Sequence, residues 1–282
     1  MLFTDQLAAD IQRAVAAALA EDIGTGDLTA RLTQADSRAR GTVISREDAI
    51  LCGRPWFDAC FRALDPEARI AWAASDGDRI VAGQTLCEIS ARTRALLTAE
   101  RTALNFLQLL SGTATLTRMY VNAIIGTHAR IVDTRKTLPG LRLAQKYAVS
   151  VGGGSNHRLG LYDGVLIKEN HIIAAGGVRA ALERARAVAP SDVFVQIEVE
   201  DLDQLAEALA AGADMILLDN MDAPMLREAV RLSAGRAKLE ASGGVRLDQV
   251  RAVAETGVDR ISIGALTKNL RAIDLSLRHV EE

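Results

Sequence analysis

From residue 130 onward the chain alternates six short and nearly continuous apolar runs with the five helical segments between them. The runs are ARIVDT, GVLIKEN, VFVQIEVE, ADMILLDN, AKLEASGG and DRISIGAL. Runs of this kind are what buried parallel strands show, and the alternation with helices predicts a parallel sheet. Periodicity alone does not say whether that sheet stays open or closes into a barrel. The polar residues decide. The runs end in Asp133-Thr134-Arg135-Lys136, Lys168-Glu169-Asn170, Glu198, Asp219-Asn220, Glu240-Ala241-Ser242-Gly243-Gly244 and Gly264-Ala265-Leu266-Thr267. A doubly wound sheet gathers its function at one switch point, whereas a barrel uses the carboxyl ends of several strands. Charged or glycine-rich ends on every run therefore predict an α/β barrel.

Upstream the rhythm is different. ARGTVISRED, ILCG, ARIAWAAS and RIVAGQTLCEISA read as short strands, separated by the turn signals DPE and SDGD. The helix PWFDACFRAL lies among them, with Pro55 in its first turn, where a missing N–H costs little. Together they predict a small α+β unit. Residues 94–125 keep helical spacing through Leu96, Leu97, Leu104, Leu107 and Leu110, with a break expected at Ser111-Gly112. The domain junction is expected there, giving an N-terminal domain over 1–111 and a barrel domain over 112–270.

The opening stretch MLFTDQLAADIQRAVAAALAED carries Asp5 and Asp10 and reads as an amphipathic helix, not as a signal or transit peptide. No apolar run approaches the roughly 20 residues that span a bilayer. Cys52, Cys60 and Cys87 have neither CxxC spacing nor an even count, so they read as buried apolar residues in a reducing compartment. A soluble cytoplasmic protein is expected.

Net charge is −3, from 33 Lys and Arg against 36 Asp and Glu, so no global basic field exists to hold nucleic acid or an anionic membrane. Any anion site must come from local concentration, and one is visible. Between Arg130 and Asn170 stand seven cations (Arg130, Arg135, Lys136, Arg142, Lys146, Arg158, Lys168) against three acids (Asp133, Asp163, Glu169), a local balance of +4. Arg130 and Arg142 read as solvated surface charges. Arg135, Lys136, Arg158 and Lys168 follow strands or glycine-rich turns, the places where a barrel builds its site.

Ser242-Gly243-Gly244 is expected to follow a strand and open a helix, and Gly264 follows the next strand. Backbone N–H groups at such turns bind phosphate, and barrels often use their last two loops for it. Gly152 to Gly154 is not a Walker loop, because no GK[ST] follows. Glu198 and Asp219 end adjacent strands and would project into the cationic mouth. Carboxylates among phosphates commonly hold Mg²⁺ with substrate oxygens completing the shell. The alternative is that each balances a neighbouring Lys or Arg. His157 could bind a carboxylate or orient a ring, and His171 in KENH reads as structural.

The string DTRKTLPGLRLAQKYAVSVGGGSNHRLGLYDGVLIKENH closely resembles the quinolinate phosphoribosyltransferase family (nicotinate-nucleotide pyrophosphorylase, carboxylating), a type II phosphoribosyltransferase family. So do EDIGTGDLT, ERTALNFLQLLSG, IEVE, LLDN, EASGG and SIGALT, in order over nearly the whole chain. The resemblance implies an N-terminal open α/β sandwich domain plus an incomplete α/β barrel, with the C-terminal segment 271–282 returning to the first domain. It implies a homodimer with active sites at the subunit boundary, and transfer of a phosphoribosyl group from phosphoribosyl pyrophosphate to quinolinate with Mg²⁺. The products would be nicotinate mononucleotide, pyrophosphate and CO₂, the de novo entry to NAD.

By similarity, Arg135, His157, Arg158 and Lys168 would surround quinolinate, beside Thr134, while Arg101 would reach a neighbouring subunit's site. Lys136 would lie between the substrates, Glu198 and Asp219 would face the ribose hydroxyls and Mg²⁺, and Ser242, Gly243, Gly244 and Gly264 would hold the 5′-phosphate. One departure stands out. Lys268 occupies a position where the family pattern has His, and a catalytic role is not carried onto it. A related type II phosphoribosyltransferase with another acceptor, or a non-catalytic binding homologue on the same scaffold, is the rival reading.

Overall fold

The computed structural model describes residues 4–281; Met1 to Phe3 of the expected first helix, and Glu282, lie outside the described residues. The chain forms two compact units. The first comprises the N-terminal segment through Arg118, Thr137–Gly153 and the segment from Asn269 on; the second comprises Met119–Lys136 and Gly154–Lys268. The expected junction at residue 111 differs from this in two places, because 112–118 and 137–153 make their contacts within the first unit.

In the first unit, helix α1 (Thr4–Ile23) precedes strands β1 (Arg38–Ser45) and β2 (Ala49–Ile50), helix α2 (Arg54–Leu64), and strands β3 (Arg69–Trp72), β4 (Arg79–Ile80) and β5 (Thr85–Arg92). Helix α3 (Thr93–Ala123) follows, and after strand β6 (Arg130–Val132) of the second unit comes α4 (Arg142–Val151). The final strand, β12 (Leu275–Glu281), completes an antiparallel sheet in the order β12-β1-β5-β3. Alternate residues of β1 are buried, so one face of the sheet meets the core. Trp56, Phe57 and Phe61 of α2 are fully buried against it, and Phe57 packs on Trp72 with ring centroids 5.2 Å apart. Each such side chain contributes on the order of 2–3 kcal/mol.

Helix α3 runs through Ser111-Gly112 without the expected break. The two small residues serve close contact instead. Ser111 Oγ donates to the Cys52 carbonyl at 3.0 Å and accepts its N–H at 2.9 Å. A Cβ on Gly112 would collide with the Arg271 carbonyl oxygen, so glycine here admits another backbone. No helix among the described residues is long and apolar enough to cross a membrane.

In the second unit β6 is followed by β7 (Gly164–Ile167), α5 (Glu169–Ala175), α6 (Val178–Val188), β8 (Phe194–Val199) and α7 (Leu202–Ala210). Then come β9 (Met215–Asp219), α8 (Ala223–Ser233), β10 (Lys238–Ser242), α9 (Val250–Ala254), β11 (Arg260–Ser262) and α10 (Ala265–Lys268). Asp201 and Asp222 cap α7 and α8, accepting the N–H of Gln204 at 2.8 Å and of Met225 at 2.9 Å.

All six strands are parallel, in the order β6-β11-β10-β9-β8-β7. Strands β7 to β11 lie in chain order and the first strand joins beyond the last. This is the cyclic order of a barrel with one junction, β6–β7, left incomplete. Val132 and Ser155 make an isolated bridge there. The sheet register sets Leu166 beside Gln196, Glu198 beside Leu217, and Ser242 beside Asp219. Side chains two apart share a face, so each of these strands offers a stepped pair: Leu166 and Lys168, Gln196 and Glu198, Leu217 and Asp219, Glu240 and Ser242, Ser262 and Gly264.

Candidate active site

At the carboxyl ends of these strands lies a pocket of about 170 Å³. Thr134, Arg135, Lys136, His157, Arg158, Lys168, Glu198 and Ser242 all line it, so eight of the residues expected from the sequence come together. A hollow of about 390 Å³ in the first unit is larger, but chemistry rather than size singles out the site. Asp219, Gly243, Gly244 and Gly264 are not among the lining residues. They stand beside it: Asp219 pairs in register with Ser242, and a Cβ on Gly264 would meet Lys136 Cδ at 3.3 Å. Gly264 therefore lets the lysine stem pass. Arg101 lies on α3, exposed, and is not among the lining residues. Lys268 is exposed at the end of α10.

The β6–α4 loop carries three of these side chains. Thr134 Oγ1 accepts the Lys136 N–H at 3.1 Å, and Thr267 Oγ1 donates to the Lys136 carbonyl at 2.8 Å. The loop from β6 is thereby tied to the one that follows β11. Across the incomplete junction, buried Asp133 accepts from Asn156 Nδ2 at 2.7 Å and from the His157 N–H at 2.8 Å. That carboxylate pins the segment bearing His157 and Arg158 to the first strand.

Arg158 donates from its guanidinium to the Gly164 carbonyl at 3.0 Å. Burial, and then the neighbouring Arg135 guanidinium, pull Arg158 below its ordinary value, with Asp163 opposing. Two like charges held in one pocket favour an anion between them. Lys168 Nζ sits 3.0 Å from Glu198 Oε2, so the neighbouring cation anticipated for that acid is Lys168. Lys168 also heads α5, where its backbone N–H is accepted by His171 Nδ1 at 3.0 Å, a structural task for that histidine.

The glycine reading needs one correction. Gly243 and Gly244 do not open a helix, because α9 begins only at Val250. Gly243 has φ +121°, and a Cβ there would approach Asn220 Cα to 2.9 Å. Its job is close approach to the β9 turn, where Asn220 itself is left-handed at φ +54° and its N–H donates to the Ser242 carbonyl at 2.9 Å. Asn220 Nδ2 also donates to Asp219 Oδ2 at 2.6 Å, which orients that carboxylate.

Sequence reasoning did not single out Gln196 or Arg260, and it placed Glu240 at a strand end without giving it a role. Gln196 Nε2 donates to Glu240 Oε2 at 3.2 Å, and Arg260 Nε lies 3.1 Å from the same oxygen. The signal was present in the two-residue step: Gln196 precedes Glu198 by two, and Glu240 precedes Ser242 by two.

An α/β barrel with one incomplete junction, opening on a cation-rich mouth with carboxylates on adjacent strands, defines an enzyme that works on small anionic substrates. Residues 113–278 match the family model described as quinolinate phosphoribosyl transferase, C-terminal domain, and residues 27–111 match its N-terminal domain. The chain is 44% identical over 270 residues to the nicotinate-nucleotide pyrophosphorylase (carboxylating) of Mycobacterium leprae, covering 92% of this chain and 94% of that one. It is 41% identical to the probable enzyme of that name from Bacillus subtilis, covering 91% and 89%. The solved nicotinate-nucleotide pyrophosphorylase of Francisella tularensis superposes with a TM-score of 0.94 at 46% identity, covering 97% of each chain. The chain belongs to the quinolinate phosphoribosyltransferase family.

Proposed function

We propose that the chain is a quinolinate phosphoribosyltransferase, an enzyme that joins quinolinate to the ribosyl group of phosphoribosyl pyrophosphate and releases pyrophosphate and CO₂. Nicotinate mononucleotide is the product, which places the enzyme in NAD biosynthesis. Family membership supports the reaction, and one observation carries the substrate: Arg135 and Arg158 line the same pocket, where burial and then the Arg135 guanidinium disfavour the Arg158 cation. A dicarboxylate relieves that repulsion. A monocarboxylate offers the two guanidiniums a single anionic group.

Arg135, Arg158 and Lys168 hold the two carboxylates of quinolinate, and Lys136 reaches between the substrates. The pyridine nitrogen attacks the anomeric carbon, and the bond to pyrophosphate breaks with its electron pair leaving on the phosphate oxygen. Positive charge develops on the ribose, where Glu198 and Asp219 stabilise it. The ring nitrogen is then quaternary, and its positive charge stabilises the electron pair that the departing carboxylate leaves on the adjacent ring carbon, so CO₂ leaves and that pair takes up a proton. Positioning and electrostatics supply the rate, without a covalent enzyme intermediate.

Among the described residues no group of three or more His, Cys, Asp or Glu is arranged to hold a metal by itself. Glu198 and Asp219 offer hard oxygen donors on adjacent strands, a set that suits Mg²⁺ with substrate oxygens as the other ligands. When bound, Mg²⁺ neutralises charge on the leaving pyrophosphate. We assign the exposed Arg101 to the site of a second subunit in a homodimer. Three free, buried cysteines fit a cytoplasmic setting.

The test is product formation from quinolinate, phosphoribosyl pyrophosphate and Mg²⁺, following CO₂ and nicotinate mononucleotide together, with nicotinate in parallel. Both products from quinolinate and none from nicotinate are expected. Turnover of nicotinate instead, or of neither, would overturn the assignment.

A further inference from the structure

Along the base of the pocket runs a line of buried and half-buried polar groups that the reaction does not consume. Arg260 pairs with Glu240 Oε2, and Gln196 Nε2 donates to that same oxygen at 3.2 Å. Gln196 Oε1 lies 2.8 Å from His157 Nε2, and the Arg158 backbone N–H donates to His157 Nδ1 at 2.8 Å. Gln196 is 0% exposed and Glu240 1%, so water does not compete for these bonds.

Each link sets the polarity of the next. Glu240 Oε2, facing the Arg260 guanidinium at 3.1 Å, is an acceptor. The amide of Gln196 must therefore turn its NH₂ toward Glu240 and its carbonyl toward His157. That carbonyl only accepts, so His157 carries its proton on Nε2. Nδ1 is left with a lone pair, which is what the Arg158 N–H requires. A flipped amide would set carbonyl against carboxylate and NH₂ against Nε2–H. A proton on Nδ1 would face the Arg158 N–H donor to donor.

We infer that Gln196 fixes the tautomer of His157 and through it seats Arg158 for the substrate carboxylate. It acts as a positioning residue, touching neither substrate nor reacting atoms. Three other groups stand near His157. Asp133 takes the His157 backbone N–H at 2.8 Å, and the ring of Phe194 stands edge-on at 5.6 Å. Glu240 Oε1 is 3.7 Å from His157 Nε2 and has no hydrogen-bond partner of its own. Without Gln196 that oxygen, 3.7 Å away, is an acceptor toward which the imidazole can turn. Swinging toward it draws Nδ1 away from the Arg158 N–H.

The kinetic half of this inference rests on the substrate proposed above, and the spectroscopic half does not. Histidine-selective ¹⁵N NMR of the wild-type protein, with the His157 signal identified by its loss in His157→Asn, should show a neutral ring protonated on Nε2. A ring protonated on Nδ1, or charged at neutral pH, would overturn the inference whatever the enzyme's substrate. Gln196→Met keeps the volume and removes both hydrogen bonds. It should raise KM for quinolinate about five- to tenfold, with KM for phosphoribosyl pyrophosphate and kcat changing less, and it should mix the tautomers. Equal losses for both substrates with the ¹⁵N pattern unchanged would assign Gln196 a packing role and end the proposal. If the variant fails to fold, the wild-type spectrum still decides. If the wild type does not turn over quinolinate, the proposed function fails and the tautomer question stays answerable.

Discussion

Arg158 shows what a single side chain must satisfy at once. It gives its backbone N–H to His157, its guanidinium to Gly164, and leaves further donors for a ligand. A lysine has the charge but not the planar fork, and it is easier to deprotonate where burial already opposes the cation. Arg158→Lys should therefore lower kcat/KM for quinolinate by about 10²-fold while thermal stability holds, since a lost buried charge contact costs about 2–5 kcal/mol. A near wild-type kcat/KM would remove Arg158 from substrate binding. Lys136→Ala should cut turnover by a comparable factor with the fold intact, read in the same assay. Both residues were legible in the sequence because Lys136 follows an apolar run and Arg158 a glycine-rich turn, the places where a barrel builds its site. Gln196 was not, because it stands inside such a run, and Glu240 was read at a strand end but given no role. Only the two-residue step to Glu198 and Ser242 marks them, and that step means something only once the inner face is known. The phosphate turn was half legible. Ser242-Gly243-Gly244 stands at the end of a strand as expected, yet its glycines answer to the close approach of Asn220 rather than to a helix start.

Helix α3 illustrates how an element can overrule a local signal. Serine and glycine together lower helix propensity by about 1 kcal/mol or slightly more, which 31 residues of continuous packing absorb easily. Gly112→Ala gains that propensity and loses more, because its methyl meets a backbone oxygen that cannot step aside. A net destabilisation of about 1–2 kcal/mol is expected by chemical denaturation, and a stabilised variant would refute the close-approach reading. Asp65 ties the end of α2 to β5 and supplies a pH dependence. Burial alone would raise its carboxyl, but the N–H groups of Arg92 and Glu67 and the Arg92 guanidinium outweigh it and hold it below the ordinary value. A depressed acid stabilises the fold at neutral pH, and that contribution fades as pH falls below the ordinary carboxylate range near 4. Asp65→Asn should be less stable at pH 7 and show a shallower loss on acidification. Parallel stability curves for the two proteins would clear Asp65 of that role.

For the molecule as a whole, strands and helices could be read from periodicity, and the alternation already pointed to a parallel sheet. Which strand neighbours which could not be read, because that depends on contacts between residues far apart in the chain. The β6–β11 pairing is the case in point: nothing local in ARIVDT or DRISIGAL says that the first run lies against the last. The proposed sharing of sites between subunits is tested at this level too. Arg101→Ala and Lys136→Ala proteins should each be inactive alone. Mixed and allowed to exchange subunits, they should recover about a quarter of wild-type activity, because half the dimers then carry one intact site. No recovery, with subunit exchange verified, would count against Arg101 acting across subunits.

The pairing of Arg130 with Arg260, together with the bond from Thr267 to the Lys136 carbonyl, also sets a schedule for making the protein. During synthesis the cations of residues 135 and 136 leave the ribosome early but have nothing to lie against. Their neighbouring strand and the hydroxyl that fastens their loop are nearly the last parts of the barrel to be translated. A nascent chain stopped before residue 260 holds most of the groups the chemistry needs and still lacks the neighbour that holds them in place. Loop closure over so long a stretch is slow. The pocket should therefore be the last part of this enzyme to take shape, and truncated chains should expose a basic, unpaired strand to the quality-control machinery that meets them.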